Sequence, residues 1–452
     1  MMFSRRDLFK IIWPLFLQQV LSITVGMADS MMVASAGETA VSGVSLVGTL
    51  DVLLIYIFSS VATGGAVVIS QAIGRKDQKF AQNAAKQLIW TVTLIAFVVG
   101  GTSFLCRHPL LHVLFGDAEA AVMDSALDYF FWMSLSFPFL GLFNGVAAVF
   151  RAEGNSMIGM KLSLLMNTVN IGGNALLIFG FHMGAGGAAL ATLFSRAVGA
   201  FVIVWLVHKQ DHYVYVENLW HCRPDFGVIK RILRIGIPSG LENSMFQFGK
   251  LLTQSLVSTL GTASIAANAV AGSLVSLQYA PGAAVNGAIF AVIGQCVGAG
   301  EEKQTKRYSR ILLGVLYGSL GVIAIGMSLL AGPLVRLYGL EGESFEMAKR
   351  MLIVHSMIAI AIWPLGFGLP NCFNAAGHVK FTLFISATSM WLFRVAGAYL
   401  LTVPSLTVFG LTIPGAGMGV MGVWTAMFID WAFRGCMYIV RYLRGRWVHA
   451  KV

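Results

Sequence analysis

Ser70-Gln71-Ala72-Ile73-Gly74 and Gly294-Gln295-Cys296-Val297-Gly298 are two versions of one phrase, and their spacing decides the fold. Outward from them, Pro14 recurs as Pro238, and Gly37-Glu38-Thr39-Ala40-Val41 recurs as Gly261-Thr262-Ala263-Ser264-Ile265. Every pair is the same distance apart, so the register runs without a gap from the first apolar segment of each copy through the second. A chain of 452 residues is thereby divided into two similar halves. Parallel repeats of this kind are a design of membrane transporters, with the substrate site where the repeats meet. Positions at which the copies differ are then the places to look for chemistry.

The composition is 57% hydrophobic and 11% charged with 50 glycines, whereas a soluble domain has about a quarter of its residues charged. Apolar segments of membrane-crossing length recur throughout, each long enough for a hydrocarbon core of about 30 Å. Twelve are expected, at roughly 11–33, 44–70, 87–106, 128–149, 161–181, 185–208, 235–260, 268–297, 311–331, 350–373, 381–403 and 415–441. In lipid each segment must satisfy its own backbone, so helices are the expected form. A barrel would show short alternating segments instead. The fold class is therefore an all-α polytopic membrane protein, with twelve transmembrane helices in two pseudo-symmetric six-helix lobes. The lobes are expected over 1–208 and 235–452, joined by a polar, basic cytoplasmic linker over 209–234 that contains Pro224.

The net charge of +11 is a topology signal. Alternate loops hold Arg5, Arg6 and Lys10; Arg75, Lys76, Lys79 and Lys86; Arg223, Lys230, Arg231 and Arg234; Lys303, Lys306, Arg307 and Arg310; and Arg441, Arg444 and Arg446. The opposite loops carry only Arg107, Arg336, Lys349 and Arg350. The positive-inside rule places both termini in the cytoplasm of a protein of the cell membrane, and nucleic acid is not an expected partner. Five scattered cysteines, Cys106, Cys222, Cys296, Cys372 and Cys436, indicate neither a disulfide framework nor a zinc site. His108 and His112 sit in an external loop without acidic ligands, and His208, His212, His221 and Cys222 read as solvated linker residues. The first apolar segment is too long for a cleaved signal peptide.

Prolines sit inside corresponding segments, at Pro14 and Pro238 and at Pro138 and Pro364. An interior proline removes a helical hydrogen bond and bends the helix. Gly184-Ala185-Gly186-Gly187-Ala188-Ala189 and Gly415-Ala416-Gly417-Met418-Gly419 read as close helix packing. Neither run has the preceding strand or following Lys-Ser/Thr that nucleotide binding requires.

The motifs Gly26-Met27-Ala28-Asp29-Ser30-Met31-Met32-Val33, Phe150-Arg151-Ala152-Glu153-Gly154-Asn155, Asn170 with Asn174, and Gly187-Ala188-Ala189-Leu190-Ala191-Thr192 occur in this order along the chain. In them the chain resembles the multidrug and toxic compound extrusion (MATE) family over essentially its whole length. The resemblance implies an antiporter in which influx of H⁺ or Na⁺ drives export of organic cations and other amphipathic compounds. It implies a monomer in the lipid bilayer, without a cofactor beyond the coupling ion, whose lobes open alternately to each side.

Ionisable groups inside membrane segments are costly and mark function by default. Asp29 lies roughly 27 Å along the first segment at about 1.5 Å per residue, and its counterpart in the second copy is Thr253. The resemblance implies that Asp29 binds the coupling cation together with Asn170, Asn174 and Thr192. Asn170 and Asn174 are one helical turn apart, hence on one face. Some family members carry an aspartate where Asn174 stands. With a single desolvated carboxylate, the site suits H⁺ better than Na⁺.

Glu242 is the second candidate, with Gln18 as its first-copy counterpart. The resemblance implies a coupling or substrate role for this pair of positions. The acidic partner that some family members have on the tenth helix is missing around Pro364-Leu365-Gly366. Lys250 requires a partner, Asp430 and Arg434 read as an i,i+4 ion pair, and Asp51, Arg196 and Arg394 are expected to pair or to reach an interface. Phe137, Phe139, Met166, Phe246, Phe290 and Trp363 are candidates for lining an adaptable cavity.

Other classes fit less well. A flippase for lipid-linked or other amphipathic lipids is the alternative; a cationic cavity would favour it, whereas the cavity candidates here are acidic. An intramembrane enzyme would need a Ser/His, HExxH or paired-aspartate arrangement, and none is present.

Overall fold

The computed structural model describes residues 2–116, 118–217, 219, 223–408 and 411–449. Contacts divide the chain into two compact units, one running to Gly240 and the other beginning at Leu241. The first unit holds α1 (Arg5–Ala34), α2 (Glu38–Gly74), α3 (Gln78–Leu105), α4 (Arg107–Phe115), α5 (Ala120–Glu153), α6 (Ser156–Asn174), α7 (Gly184–Val207) and the start of α8 (Phe226–Ser258). The second holds the rest of α8, then α9 (Thr262–Gln278), α10 (Ala280–Gly298), α11 (Glu302–Leu329), α12 (Ala331–Arg336), α13 (Gly342–Trp363), α14 (Leu369–Ala375), α15 (Val379–Ser389), α16 (Gly397–Thr402) and α17 (Val420–Leu443). A hairpin of β1 (Ser405–Val408) and β2 (Leu411–Pro414) precedes α17.

Among the described residues, 10 helical stretches are long and apolar enough to cross a membrane. Two more, α8 and α17, have 33 and 24 residues. They are interrupted by charges at Lys230, Arg231, Glu242 and Lys250, and at Asp430 and Arg434. With them the chain has the twelve membrane-length segments expected. The protein is a multi-pass, all-helical membrane protein apart from the short hairpin.

In the first unit α5 is the central helix, packed against α2, α3 and α7, while α6 bridges α1 and α7. Its core includes the Phe58 and Phe137 rings, tilted at 55° with centroids 5.8 Å apart and both fully buried. Phe137 is thus a core residue. The helices approach closely where glycine permits it. A side-chain carbon on Gly64 of α2 would lie 2.7 Å from the backbone nitrogen of Gly236 in α8, so only glycines fit at that crossing.

The connection after α7 is docked on α3. Trp90 Nε1 donates to the Leu219 carbonyl at 2.6 Å, Gln87 Nε2 to the Arg223 carbonyl at 2.8 Å, and Gln78 Nε2 to the Tyr213 carbonyl at 2.9 Å. Asn83 Nδ2 donates to Asp225 at 3.0 Å. Asp225 also accepts from the backbone of Gly227 and Val228 at the start of α8. Residues 226–234, read as linker from the sequence, are already helical. His212, expected to be solvated, stands edge-on to Phe150 at 5.0 Å and 3.9 Å from Glu153. His221 and Cys222 lie outside the described residues.

The second unit departs from continuous helices in three places. The segment expected at 268–297 breaks at Tyr279 into α9 and α10. Pro281 has no N–H to offer the Leu277 carbonyl, whereas its first-copy counterpart, Ile57, leaves α2 unbroken for 37 residues. The other two departures are π turns, Pro364–Gly368 after α13 and Met390–Ala396 after α15. The first unit has a π turn of its own, Ala175–Gly180 after α6. Such turns insert a residue into a helix and are frequent at functional sites. Near the far end, a side-chain carbon on Gly422 would sit 2.6 Å from the Leu401 carbonyl carbon, so α17 crosses α16 on bare backbone.

Candidate functional site

In the first unit the structure brings Asp29, Asn170, Asn174 and Thr192 together. Asn170 and Asn174 project from one face of α6, both buried, and the π turn begins immediately after Asn174. Asn174 Nδ2 donates to Asp29 Oδ1 at 2.7 Å. With its amide nitrogen turned toward the carboxylate, Asn170 donates to Asp29 Oδ1 at 2.7 Å and its oxygen accepts from Thr192 Oγ1 at 3.1 Å. That orientation pairs every donor with an acceptor, the criterion by which amides are assigned. Two amides thus converge on one half-buried carboxylate, and the Thr192 hydroxyl holds the Asn170 amide from behind. No Lys or Arg forms an ion pair with Asp29 among the described residues. The buried Asn174 Oδ1 is left without a hydrogen-bond partner. Beside the cluster, Val33, Ala40, Ile178, Ala185 and Ala188 pack with Tyr129 into an apolar plug.

A second charged group shares these helices. Arg196 on α7 lies 3.6 Å from Asp51 on α2 and donates to Ser136 on α5 at 2.7 Å. Tyr129 stands within the fields of Asp51, Arg196 and Asp29. The pair therefore closes within the unit, and Arg196 is spent on Asp51, leaving Asp29 without a cation.

In the second unit Glu242 accepts from Ser386 Oγ of α15 at 2.5 Å. The Ser386 hydroxyl also meets the Tyr438 hydroxyl at 2.9 Å, and Tyr438 donates to the Thr382 carbonyl at 3.3 Å. Thr382 Oγ1 in turn donates to Asn374 Oδ1 at 2.7 Å. None of these partners was visible in the sequence, because they come from three helices and none is ionised near neutral pH. The first-copy counterpart, Gln18, belongs to α1 in the first unit, with its amide oxygen against Gly159.

The expected Asp430–Arg434 pair is present at 2.7 Å, but it is larger than the sequence suggested. Arg394 joins Asp430 at 3.7 Å, Ser389 donates to the same carboxylate, and Arg434 reaches the Ser386 carbonyl at 3.3 Å. The Phe246 ring lies 5.1 Å from the Arg394 guanidinium and 5.9 Å from that of Arg434. Two buried arginines thus share one aspartate, and one nitrogen of Arg394 has no acceptor. Lys250 was expected to find a partner. Among the described residues it forms no ion pair, and the charge nearest in effect is Arg394, of like sign. Beside the carboxylates Glu242 and Asp430, the helices of this unit thus carry the cations Lys250, Arg394 and Arg434. Trp363, a cavity candidate, is buried, stacked at 5.0 Å on Tyr279 and at 5.4 Å on Phe367. No group of three or more His, Cys, Asp or Glu residues able to hold a metal ion occurs among the described residues.

Two repeats of membrane-length helices interrupted by prolines and π turns, with a buried polar cluster in each, are the architecture found in membrane transporters. The MatE family model matches residues 14–176 and again 238–400, the same interval in each copy. The chain belongs to the MatE family. It is 25% identical over 450 residues to the "uncharacterized transporter YisQ" of Bacillus subtilis, covering 98% of this chain and 95% of that one. It is also 25% identical over 460 residues to the "probable multidrug resistance protein NorM" of Thermotoga maritima, covering 98% and 93%. An outward-facing MATE family transporter of the MOP superfamily shares the fold, with a TM-score of 0.89 at 19% identity, covering 98% of this chain and 96% of that one. A MOP superfamily transporter from Pyrococcus furiosus, described as having a binding pocket of reverse polarity, matches with a TM-score of 0.87 at 19% identity, covering 98% and 96%.

Proposed function

We propose that this chain is a cation-coupled antiporter of the cell membrane that exports organic cations and amphipathic compounds as a monomer. In this reading lobes over 1–208 and 235–452, joined by 209–234, expose a site alternately to each side, with both termini in the cytoplasm. The observation that carries the proposal is Asp29, a carboxylate within an apolar span, held by two amides and by no cation. A carboxylate so placed binds a cation or a proton to reach neutrality. Asn170 and Asn174 suit such a cycle, because each amide offers N–H to the charged carboxylate and its oxygen to an incoming cation. H⁺ is favoured over Na⁺, since Asn174 stands where some family members place a second carboxylate. Glu242, with Gln18 at the matching position, is the candidate for coupling or substrate contact in the other lobe. The names of the Thermotoga relative and of the MATE structure, both of multidrug resistance, support multidrug export.

The test is ethidium efflux from proteoliposomes with a pH gradient or a Na⁺ gradient imposed singly. Efflux is expected with the pH gradient and absent in Asp29→Asn, with the variant still inserted in the bilayer. Undiminished efflux by that variant would sink the assignment. A flippase for amphipathic lipids is the second reading, favoured by Lys250, which forms no ion pair among the described residues and suits an anionic head group. It predicts that an anionic lipid is moved faster than ethidium in the same vesicles.

A further inference from the structure

The first turns of α11 carry Lys303, Lys306, Arg307 and Arg310, and these line a cavity of about 510 Å³ together with Ile311. Their spacing of three, four and seven residues sets all four cations on one helical face. None of them forms an ion pair among the described residues. The repeat shows what the same face does in the other copy. There the corresponding positions of α3 are Lys79, Gln82, Asn83 and Lys86, and Tyr213, Leu219, Arg223 and Asp225 of the following connection are bonded to that helix. Asn83 meets the Asp225 carboxylate, while Gln87 and Trp90 hold backbone carbonyls of that connection. In α11 the residues matching Asn83, Gln87 and Trp90 are Arg307, Ile311 and Gly314. The groups that grip the connection in the first copy are replaced, the segment after α17 reaches α11 beside Lys306 at Gly445, and a guanidinium stands where an amide faces a carboxylate in the first copy. Along the i,i+4 ridge from Arg307 come Ile311 and Val315 and, two turns on, Val322, with Val315 and Val322 exposed and apolar. The helix is one of the membrane-crossing stretches, so this boundary between cations and apolar surface falls at a membrane edge.

We propose that the Lys303–Lys306–Arg307–Arg310 cavity binds the phosphodiester head group of an anionic glycerophospholipid, whose acyl chains lie along Ile311, Val315 and Val322. Phosphate oxygens match a cluster of unpaired cations, and basic pockets at the cytoplasmic ends of membrane helices recognise anionic lipids. The apolar stripe selects the lipid over a free anion. The site is independent of which solute the protein moves.

The full-length protein in nonionic detergent, supplemented with phosphatidylglycerol or phosphatidylcholine, is to be examined by native mass spectrometry. One phosphatidylglycerol is expected to remain bound, at least tenfold more tightly than phosphatidylcholine. Lys306→Gln with Arg307→Gln should weaken it about 25-fold, at about fivefold per removed charge. Arg5→Gln with Arg6→Gln, removing the same charge from an exposed helix start, should leave binding unchanged. Equal loss in both double variants would reduce the effect to general electrostatics and overturn the proposal. So would phosphatidylcholine binding as well as phosphatidylglycerol, or inorganic phosphate displacing the lipid at the lipid's own concentration. The comparison of the two lipids and phosphate on the unsubstituted protein decides the matter even if the pocket variant misfolds.

Discussion

Asp29 and Asp430 are both carboxylates in apolar helices, and their neighbours give them opposite roles. Asp430 is fully buried between Arg394 and Arg434 and accepts from Ser389. It is a structural counter-ion. Asp430→Asn leaves two buried guanidinium groups uncompensated, and breaking a buried ion pair costs about 3–5 kcal/mol. A large fall in the melting temperature of the detergent-solubilised protein is the expected result. Asp29 meets only amides, so its charge is free to be cancelled by a transported ion. Asn174→Asp sets a second carboxylate within hydrogen-bond reach of the first. Two carboxylates sharing one site cannot both stay ionised without a cation. That variant is expected to make efflux respond to an imposed Na⁺ gradient; efflux still driven only by the pH gradient would contradict the role given to Asn174.

Elements are shaped by what their ends touch. The turn between α14 and α15 is tied to the end of α17 through His378. Arg441 reaches His378 Nδ1 at 2.7 Å, and His378 Nε2 meets the Trp447 carbonyl at 3.1 Å. This arrangement fits the neutral ring, with Nε2–H donating to the carbonyl and Nδ1 accepting from the guanidinium. Half burial, and then the Arg441 charge, push the His378 pKa below its ordinary value of 6.5. As pH falls through about 6.5, the unfolded chain takes up a proton that the folded chain does not, so stability is present above that pH and lost below it. Thermal melting followed from about pH 7 to pH 5 should show this decline, and His378→Gln should lessen it. An unchanged slope in the variant would assign the pH dependence to other groups. Elsewhere a single residue breaks an element: Pro281 divides α9 from α10, while Ile57 lets α2 run through.

For the whole molecule, the proposed orientation, which rests on charge asymmetry, is one that labelling can check. Cys106 is exposed at the end of α3, beside one of the few arginines of the poorly charged side. A membrane-impermeant maleimide should label it in intact cells, whereas a cysteine replacing Ser4 at the start of α1 should react only after permeabilisation. The reverse pattern would invert the topology. Much of this scale was legible from the chain itself. The phrases around Gln71 and Gln295, the apolar segment lengths and the alternation of basic loops already imply two sets of six helices. Asp29, Asn170, Asn174 and Thr192 were also legible, because a motif and an i,i+4 spacing point to them. Ser386, Tyr438, Thr382 and Asn374 around Glu242 were not, since hydroxyls and amides are common in packed helices and carry no periodic signal. Nor was the sharing of Asp430 by Arg394, which is 36 positions away in the chain and close only after folding.

The sequence by itself determined the helices, their number, the repeat and the one carboxylate most costly to bury, because hydrophobic length and charge act locally along the chain. Tertiary structure alone decided which charges are spent on one another. Whether an aspartate is a counter-ion or an ion-binding group depends on distances of a few ångströms between helices, and in a medium of low dielectric those distances set its energy. The pairing of Arg196 with Asp51, the absence of any such pair at Asp29 among the described residues, and the unpaired cations of α11 are facts of packing.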